Sequence, residues 1–193
     1  MKLFFVDLET TGLDHIKHGI WQLAAQIWID GVEQERFKLE MQPVKGKLVS
    51  QEAMTKCNVD MARLRSLPLP HLAFHELRDR LGKYVSKYDK NDKFFFVGYN
   101  AQFDNQFLRQ WFEDHGDSYF GSWFWYPYID VCQLAGFCLM KQRRQMENFK
   151  LGTVVNHMGL LFDENEAHDA DYDIDATRRL FDHLVEQGLS VFD

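Results

Sequence analysis

The sequence predicts an α/β domain built on a mixed central β-sheet, and three observations carry that prediction. Three strand-like segments open the chain, two of them joined by the turn pair Asp30-Gly31. An apolar run, Phe94-Phe95-Phe96-Val97, then stands between helical patterns, as a strand buried on both faces does. Strands come first, helix and strand alternate, and helices close the chain, which is the element order of a sheet flanked by helices.

The elements follow in order. Lys2–Asp7 reads as a short buried strand through Leu3-Phe4-Phe5-Val6. Trp21–Ile29 and Val32–Gln42 flank Asp30-Gly31, a pair that favours a type I′ hairpin turn. Ser50–Lys56 and Asp60–Ser66 suit short helices, with Ser50 and Asp60 as N-caps. Pro70 fits the first turn of a helix to about Lys87, whose Ala73, Leu77, Leu81 and Val85 mark a core face. After a strand over Lys93–Tyr99, a helix from about Phe103 to His115 carries Phe103, Phe107 and Trp111 on one stripe and stops at Gly116. Residues 118–128, "SYFGSWFWYPY", form an aromatic-rich loop. Ile129–Lys141 and Leu151–Met158 read as helices, and a last helix spans about Asp169–Gln187, stopped by Gly188.

With 193 residues, 46% of them apolar, 17 Phe and 5 Trp, the chain is long enough for a single folded domain over 1–193 with a substantial core. Its net charge of −7 opposes an electrostatic clamp on long nucleic acid, yet allows nucleic acid gripped locally through bound cations. Cys57, Cys132 and Cys138 form no CxxC pair and read as reduced, intracellular thiols. Asp7 ends the first apolar run far short of the roughly 7–15 residues of a signal peptide. No segment approaches the roughly 18 apolar residues of a membrane span. The expectation is a soluble, cytoplasmic protein with no membrane partner.

Chemistry enters at "VDLETTG", residues 6–12, where Asp7 and Glu9 stand two apart at the end of a strand and so face the same way. Two further stretches offer acids. "GYNAQFDNQFL" (98–108) carries Asp104 near a helix start just beyond a buried strand, a location favoured for ligands in α/β sheets. "HDADYDIDAT" (168–177) carries His168 before a helix and Asp173 within its first turns. If the fold joins these segments, four carboxylates share one cleft, a charge that requires cations. An oxygen-only set suits Mg²⁺ or Mn²⁺ rather than Zn²⁺.

These three stretches resemble the three motifs of the DEDDh, or DnaQ-like, 3′–5′ exonuclease family. Asp7 and Glu9 fall in its first motif, Asp104 in its second, and His168 and Asp173 in its third. The likeness runs on through "IWQLAAQIW", "SQEAMTKCNVD", "IDVCQLA" and "KLGTVVNHMGL", in the family's order and over nearly the whole chain. Two positions depart: Cys57-Asn58 stands where His-Gly is usual, and Tyr99 precedes Asn100 where many members have His. The resemblance implies a ribonuclease H-like fold and release of nucleoside 5′-monophosphates from 3′ ends. It implies two divalent cations, Mg²⁺ or Mn²⁺, bound by Asp7, Glu9, Asp104 and Asp173, with Asp7 bridging. Two ions about 3.5–4 Å apart stabilise both the entering and the leaving oxygen of an in-line displacement. It makes His168 the general base, a role that suits an unperturbed pKa near 6.5. Thr10, Thr11 and Leu13 would then touch the terminal nucleotide, Leu13 as an apolar wedge, with Asn100 and Phe103 beside the second acid.

Blander readings hold for other residues. The remaining acids of 163–175 read as solvated or as favourable charges at a helix N-terminus. Asp130 matches a family acid near the site and equally suits a cap. Trp123 and Trp125 read as packing ahead of base stacking, and Lys141, Arg143, Arg144 and Lys150 as a solvated helix end ahead of phosphate ligands. The expected partners are nucleic acid 3′ ends, DNA ahead of RNA and single strands preferred, together with a DNA polymerase as a candidate protein partner. The competing readings are an RNA 3′-trimming or oligoribonuclease-like enzyme and an inactive, partner-binding nuclease-fold domain.

Overall fold

The computed structural model describes residues 1–163 and 169–188. Its sheet has five strands in the order β3-β2-β1-β4-β5: β1 Lys2–Thr10, β2 Ile20–Ile29, β3 Val32–Glu40, β4 Phe95–Gly98 and β5 Ile129–Asp130. The first three pair antiparallel, whereas β4 runs parallel to β1 and β5 parallel to β4, so the sheet is mixed as expected. Asp30 (φ +50°) and Gly31 (φ +82°) both turn left-handed at the β2–β3 hairpin, as a type I′ turn requires.

The apolar runs of β1 and β4 divide by the two-residue period of a strand between two cores. Phe4, Val6, Leu8 and Phe96 enter one, and Leu3, Phe5 and Val97 the other. Helices α3 (Pro70–Gly82) and α4 (Ala101–Asp114) cover the first face through Phe74, Leu77, Phe107, Leu108 and Trp111. Helices α5 (Val131–Cys138), α6 (Leu151–His157) and α7 (Ala170–Gly188) cover the second, where Phe181 meets Phe5 edge-on with centroids 5.5 Å apart. Two short helices, α1 (Gln51–Lys56) and α2 (Met61–Ser66), are capped by Ser50 and Asp60 as the sequence predicts.

Several bounds differ from expectation. β1 continues past Asp7 to Thr10, because β2 begins at Ile20 and supplies a pairing partner for each added residue. Helix α3 stops at Gly82, a poor helix former, although Val85 beyond it still reaches the core. Helix α4 begins two residues earlier than expected, directly after Asn100, whose φ of +61° turns the chain off the sheet. The helix expected over Ile129–Lys141 resolves into β5, α5 and a separate 3₁₀ segment, Met140–Gln145, since Asp130 caps the helix rather than joining it. The aromatic loop carries a 3₁₀ turn at Phe120–Ser122 and packs inward: Trp123 and Phe124 are buried. Trp125 lies against Phe95, with Lys93 Nζ 5.1 Å from its ring. The three cysteines are free thiols. Among the described residues no helix is long and apolar enough to cross a membrane.

Candidate active site

The parallel pairing of β1 with β4 decides where the acids meet. The two strands run in the same direction with Phe5 opposite Val97, so β4 ends one residue later, at Gly98, while β1 continues to Thr10. Gly98 allows a close approach there, since a Cβ would stand 3.2 Å from the Val6 carbonyl oxygen. Beyond the end of β4, the Leu8 N–H has no strand beside it on that side and donates instead to Asp104 Oδ1, at 3.1 Å. One bond thus fixes the second acid, in the first turn of α4, against the strand carrying the first two.

Asp7 and Glu9 continue the face of β1 that Leu3 and Phe5 begin, the face under α7. Asp173 lies toward the start of that helix, on the side that carries Thr177 and Phe181 to the sheet. The cleft between them has a volume of about 380 Å³ and is lined by Asp7, Glu9, Asp104 and Asp173, with Leu13, Phe103 and Asn100 at its walls. Its electrostatics follow from that convergence. Burial, then the neighbouring charges of Asp104, Glu9, Asp173 and Asp169, hold the Asp7 carboxyl well above the ordinary carboxylate range. Burial also raises Asp104, against the Leu8 N–H that lowers it, with Glu9 and Asp130 adding to the rise. Asp169 goes the other way: burial raises it, but Lys38 and the backbone N–H groups of Asp171 and Tyr172 bring it below its usual value.

The donor set fits hard divalent cations. All four acids offer oxygen, and a positive charge in the cleft would relieve the repulsion that lifts Asp7. Among the described residues these side chains face one cleft without being drawn into a group of three or more that could already hold an ion.

The other expected site residues divide. Leu13 is 85% exposed at the mouth of the cleft. Phe103 lies on the wall, its ring centroid 4.7 Å from that of Phe107. Asn100 is exposed on the same wall, its N–H donating to Asp130 Oδ1 at 3.2 Å. Thr10 lines the cleft, but its hydroxyl donates to the Gly12 carbonyl at 2.8 Å. Thr11 is not brought to the cleft. It is fully buried, its hydroxyl donating to the Leu48 carbonyl at 2.6 Å and accepting from Gly19 N–H at 3.0 Å, so its side chain ties loops together. His168 lies outside the described residues. Asp130 is a cap, accepting from the N–H groups of Cys132 and Gln133.

Cys57 is the residue that sequence reasoning missed. Its thiol donates to Glu9 Oε2 at 3.0 Å, and burial first, then Glu9, pushes it up to about 12. The departure at 57–58 was the available signal. Asn58 has φ +53°, which explains why glycine is usual at that position and why asparagine is tolerated. Lys56 also lines the cleft, a cation among its acids.

A mixed five-stranded sheet flanked by helices, with acids converging where its parallel strands end, has the ribonuclease H-like architecture. The exonuclease family model, of RNase T type, matches residues 4–181. The chain belongs to this exonuclease family, of DnaQ-like type. It is 28% identical over 191 residues to the PolC-type DNA polymerase III of Mycoplasmopsis pulmonis, a match covering 96% of this chain and 12% of that polymerase. It superposes on E. coli Exonuclease I in complex with a dT13 oligonucleotide with a TM-score of 0.75 at 18% identity, covering 96% of this chain and 41% of that one. For Exonuclease I of Methylocaldum szegediense the TM-score is 0.76 at 17% identity, with 96% and 40% covered. At those identities the structural likeness speaks to the fold.

Proposed function

We propose that this domain removes nucleotides one at a time from 3′ ends, DNA ahead of RNA and single strands ahead of duplex, releasing nucleoside 5′-monophosphates. The observation that carries the reading is that Asp7, Glu9, Asp104 and Asp173 line one cleft, where burial first and then Asp104, Glu9 and Asp173 raise the Asp7 carboxyl. Asp7, Glu9, Asp104 and Asp173 are the residues that would hold two Mg²⁺ or Mn²⁺ ions. Such a pair, when bound, supplies electrophilic stabilisation of the entering and leaving oxygens of a phosphodiester.

The chain's own groups do the rest. The Leu8 N–H and the Cys57 thiol orient Asp104 and Glu9 by hydrogen bonds at 3.1 and 3.0 Å. Leu13 and Phe103 give the terminal base an apolar surface at the mouth of the cleft. His168, five residues before Asp173, accepts the proton of the attacking water on its imidazole. DNA is preferred because the curated relative is a DNA polymerase and a structural neighbour holds a DNA oligonucleotide. The same relative makes a polymerase the natural protein partner.

The test is a degradation assay on single-stranded DNA, duplex DNA and RNA, each with a 5′ label, in Mg²⁺ or Mn²⁺. Stepwise shortening is expected, fastest on single-stranded DNA and abolished in Asp7→Asn and Glu9→Gln, while His168→Gln slows it by about 10²–10⁴-fold. Cleavage of a circular single strand, or full activity in Asp7→Asn, would overturn the assignment.

A further inference from the structure

The segment 141–150 is left unused by the cleft chemistry, and its charge is unlike that of the chain around it. Lys141, Arg143, Arg144 and Lys150 stand against one acid, Glu147, in a chain of net charge −7. All four cations are exposed, and none forms an ion pair with a described residue. Elsewhere Arg36, Lys38, Lys47, Arg80 and Arg179 are engaged by carboxylates. Cations not so engaged among the described residues, such as Lys45, Lys56, Arg65 and Arg109, stand apart in the sequence, whereas these four fall within one short segment. A cluster of like charges that the fold does not neutralise costs stability through self-repulsion, unless an anion outside the chain offsets it.

Geometry ties this segment to the cleft. The hydroxyl of Tyr99, a cleft-lining residue, donates to the Phe149 carbonyl at 2.6 Å. The Arg143 guanidinium sits 5.2 Å from the centre of the Phe149 ring, and its Nη1 donates to the Met146 carbonyl. Gln142 is held from the other side, 2.8 Å from His157 Nε2. The backbone is therefore anchored at both ends, while Lys141, Arg144 and Lys150 make no side-chain hydrogen bond with any described residue and project into solvent.

We propose that residues 141–150 form a phosphate-binding surface for the strand that enters the cleft, contacting the backbone upstream of the terminal nucleotide. This rests on the exonuclease reading, and it explains how an acidic chain holds a polyanion: the cleft takes the terminus and this surface takes the phosphates behind it. Recognition is of charge, not of bases, so the ligand class is single-stranded nucleic acid of any sequence.

The experiment measures anisotropy of a 5′-labelled dT12 and of a labelled dT2 in EDTA, over a salt series. It compares wild type, the triple variant Lys141→Gln/Arg144→Gln/Lys150→Gln, and the charge-keeping Lys141→Arg/Arg144→Lys/Lys150→Arg. Arg143 is left in place because it packs on Phe149. For dT12, the Gln variant should lose about 2 from the slope of log affinity against log salt, hence about 10²-fold in affinity near 0.1 M salt. The charge-keeping variant should retain both, and dT2 should bind all three proteins alike. Equal dT12 slopes in wild type and the Gln variant, a loss shared by the charge-keeping variant, or no dT12 binding by wild type would each overturn the proposal. Shortening of single-stranded DNA by wild type in Mg²⁺ is scored separately. A salt-slope difference without shortening would sink the exonuclease reading and leave the surface standing; shortening with equal slopes would do the reverse.

Discussion

Thr11 and Cys57 exchange roles between expectation and structure, and each carries a test at the scale of one side chain. Thr11 is fully buried and serves both the Leu48 carbonyl and the Gly19 N–H. Thr11→Val keeps the shape and removes both bonds, which should cost about 1–3 kcal/mol by leaving buried polar groups unsatisfied. Denaturant melts should show that loss, and an unchanged midpoint would return Thr11 to the list of substrate contacts. Cys57 is held neutral, its thiol raised to about 12 by burial and by Glu9. The thiolate is the reactive form, so iodoacetamide at pH 8 should label Cys57 slowly. Glu9→Gln removes the negative charge and should speed that labelling, measured by peptide mass spectrometry. Equal rates in the two proteins would show that the Cys57–Glu9 hydrogen bond does not form in solution.

At the scale of elements, the junction of β4, α4 and α5 depends on one carboxylate. Asp130 Oδ1 accepts from the N–H groups of Asn100, Cys132 and Gln133, so it caps α5 and fixes the turn that launches α4. Asp130→Ala should cost about 1–3 kcal/mol, a lost cap together with a poorly satisfied turn N–H. Amide exchange at Cys132 and Gln133 should quicken with it. Because α4 also carries Asp104, activity should fall further than stability alone explains; retained activity with normal exchange would mean that the helix start is held by other contacts.

For the whole molecule, the acidic cleft sets a dependence on pH and on cations. Asp7 is held above its usual value, so its protonated form favours the folded state. That contribution is complete below the unfolded carboxylate value of about 3.9 and is lost as pH rises through the higher folded value. Metal-free protein should therefore lose melting temperature as pH rises from about 4 toward neutrality, and Asp7→Asn should lose less. Mn²⁺ at about 100 times its dissociation constant should restore about 2.7 kcal/mol to wild type and little to Asp7→Asn. Superimposable pH and metal profiles for the two proteins would show that Asp7 does not sit among the other acids.

By itself, the sequence determined β1 to β4 and the main helices in their order, the hairpin at Asp30-Gly31 and the caps at Ser50 and Asp60, and it singled out Asp7, Glu9, Asp104 and Asp173 as candidate site acids, while β5 read as the start of a helix. These are local matters: side-chain periodicity, turn preference and capping act within a few residues and can be read from them. Only the tertiary structure decided that β1 runs on to Thr10, that the aromatic loop packs inward, that Thr11 is a tie rather than a contact, and that Cys57 meets Glu9. Each depends on a partner from a distant segment: β2 for the end of β1, Leu48 for Thr11, the end of α1 for Glu9. Such pairings arise from how strands register and helices dock, and no local pattern encodes which distant atom will satisfy a buried hydroxyl or orient a carboxylate.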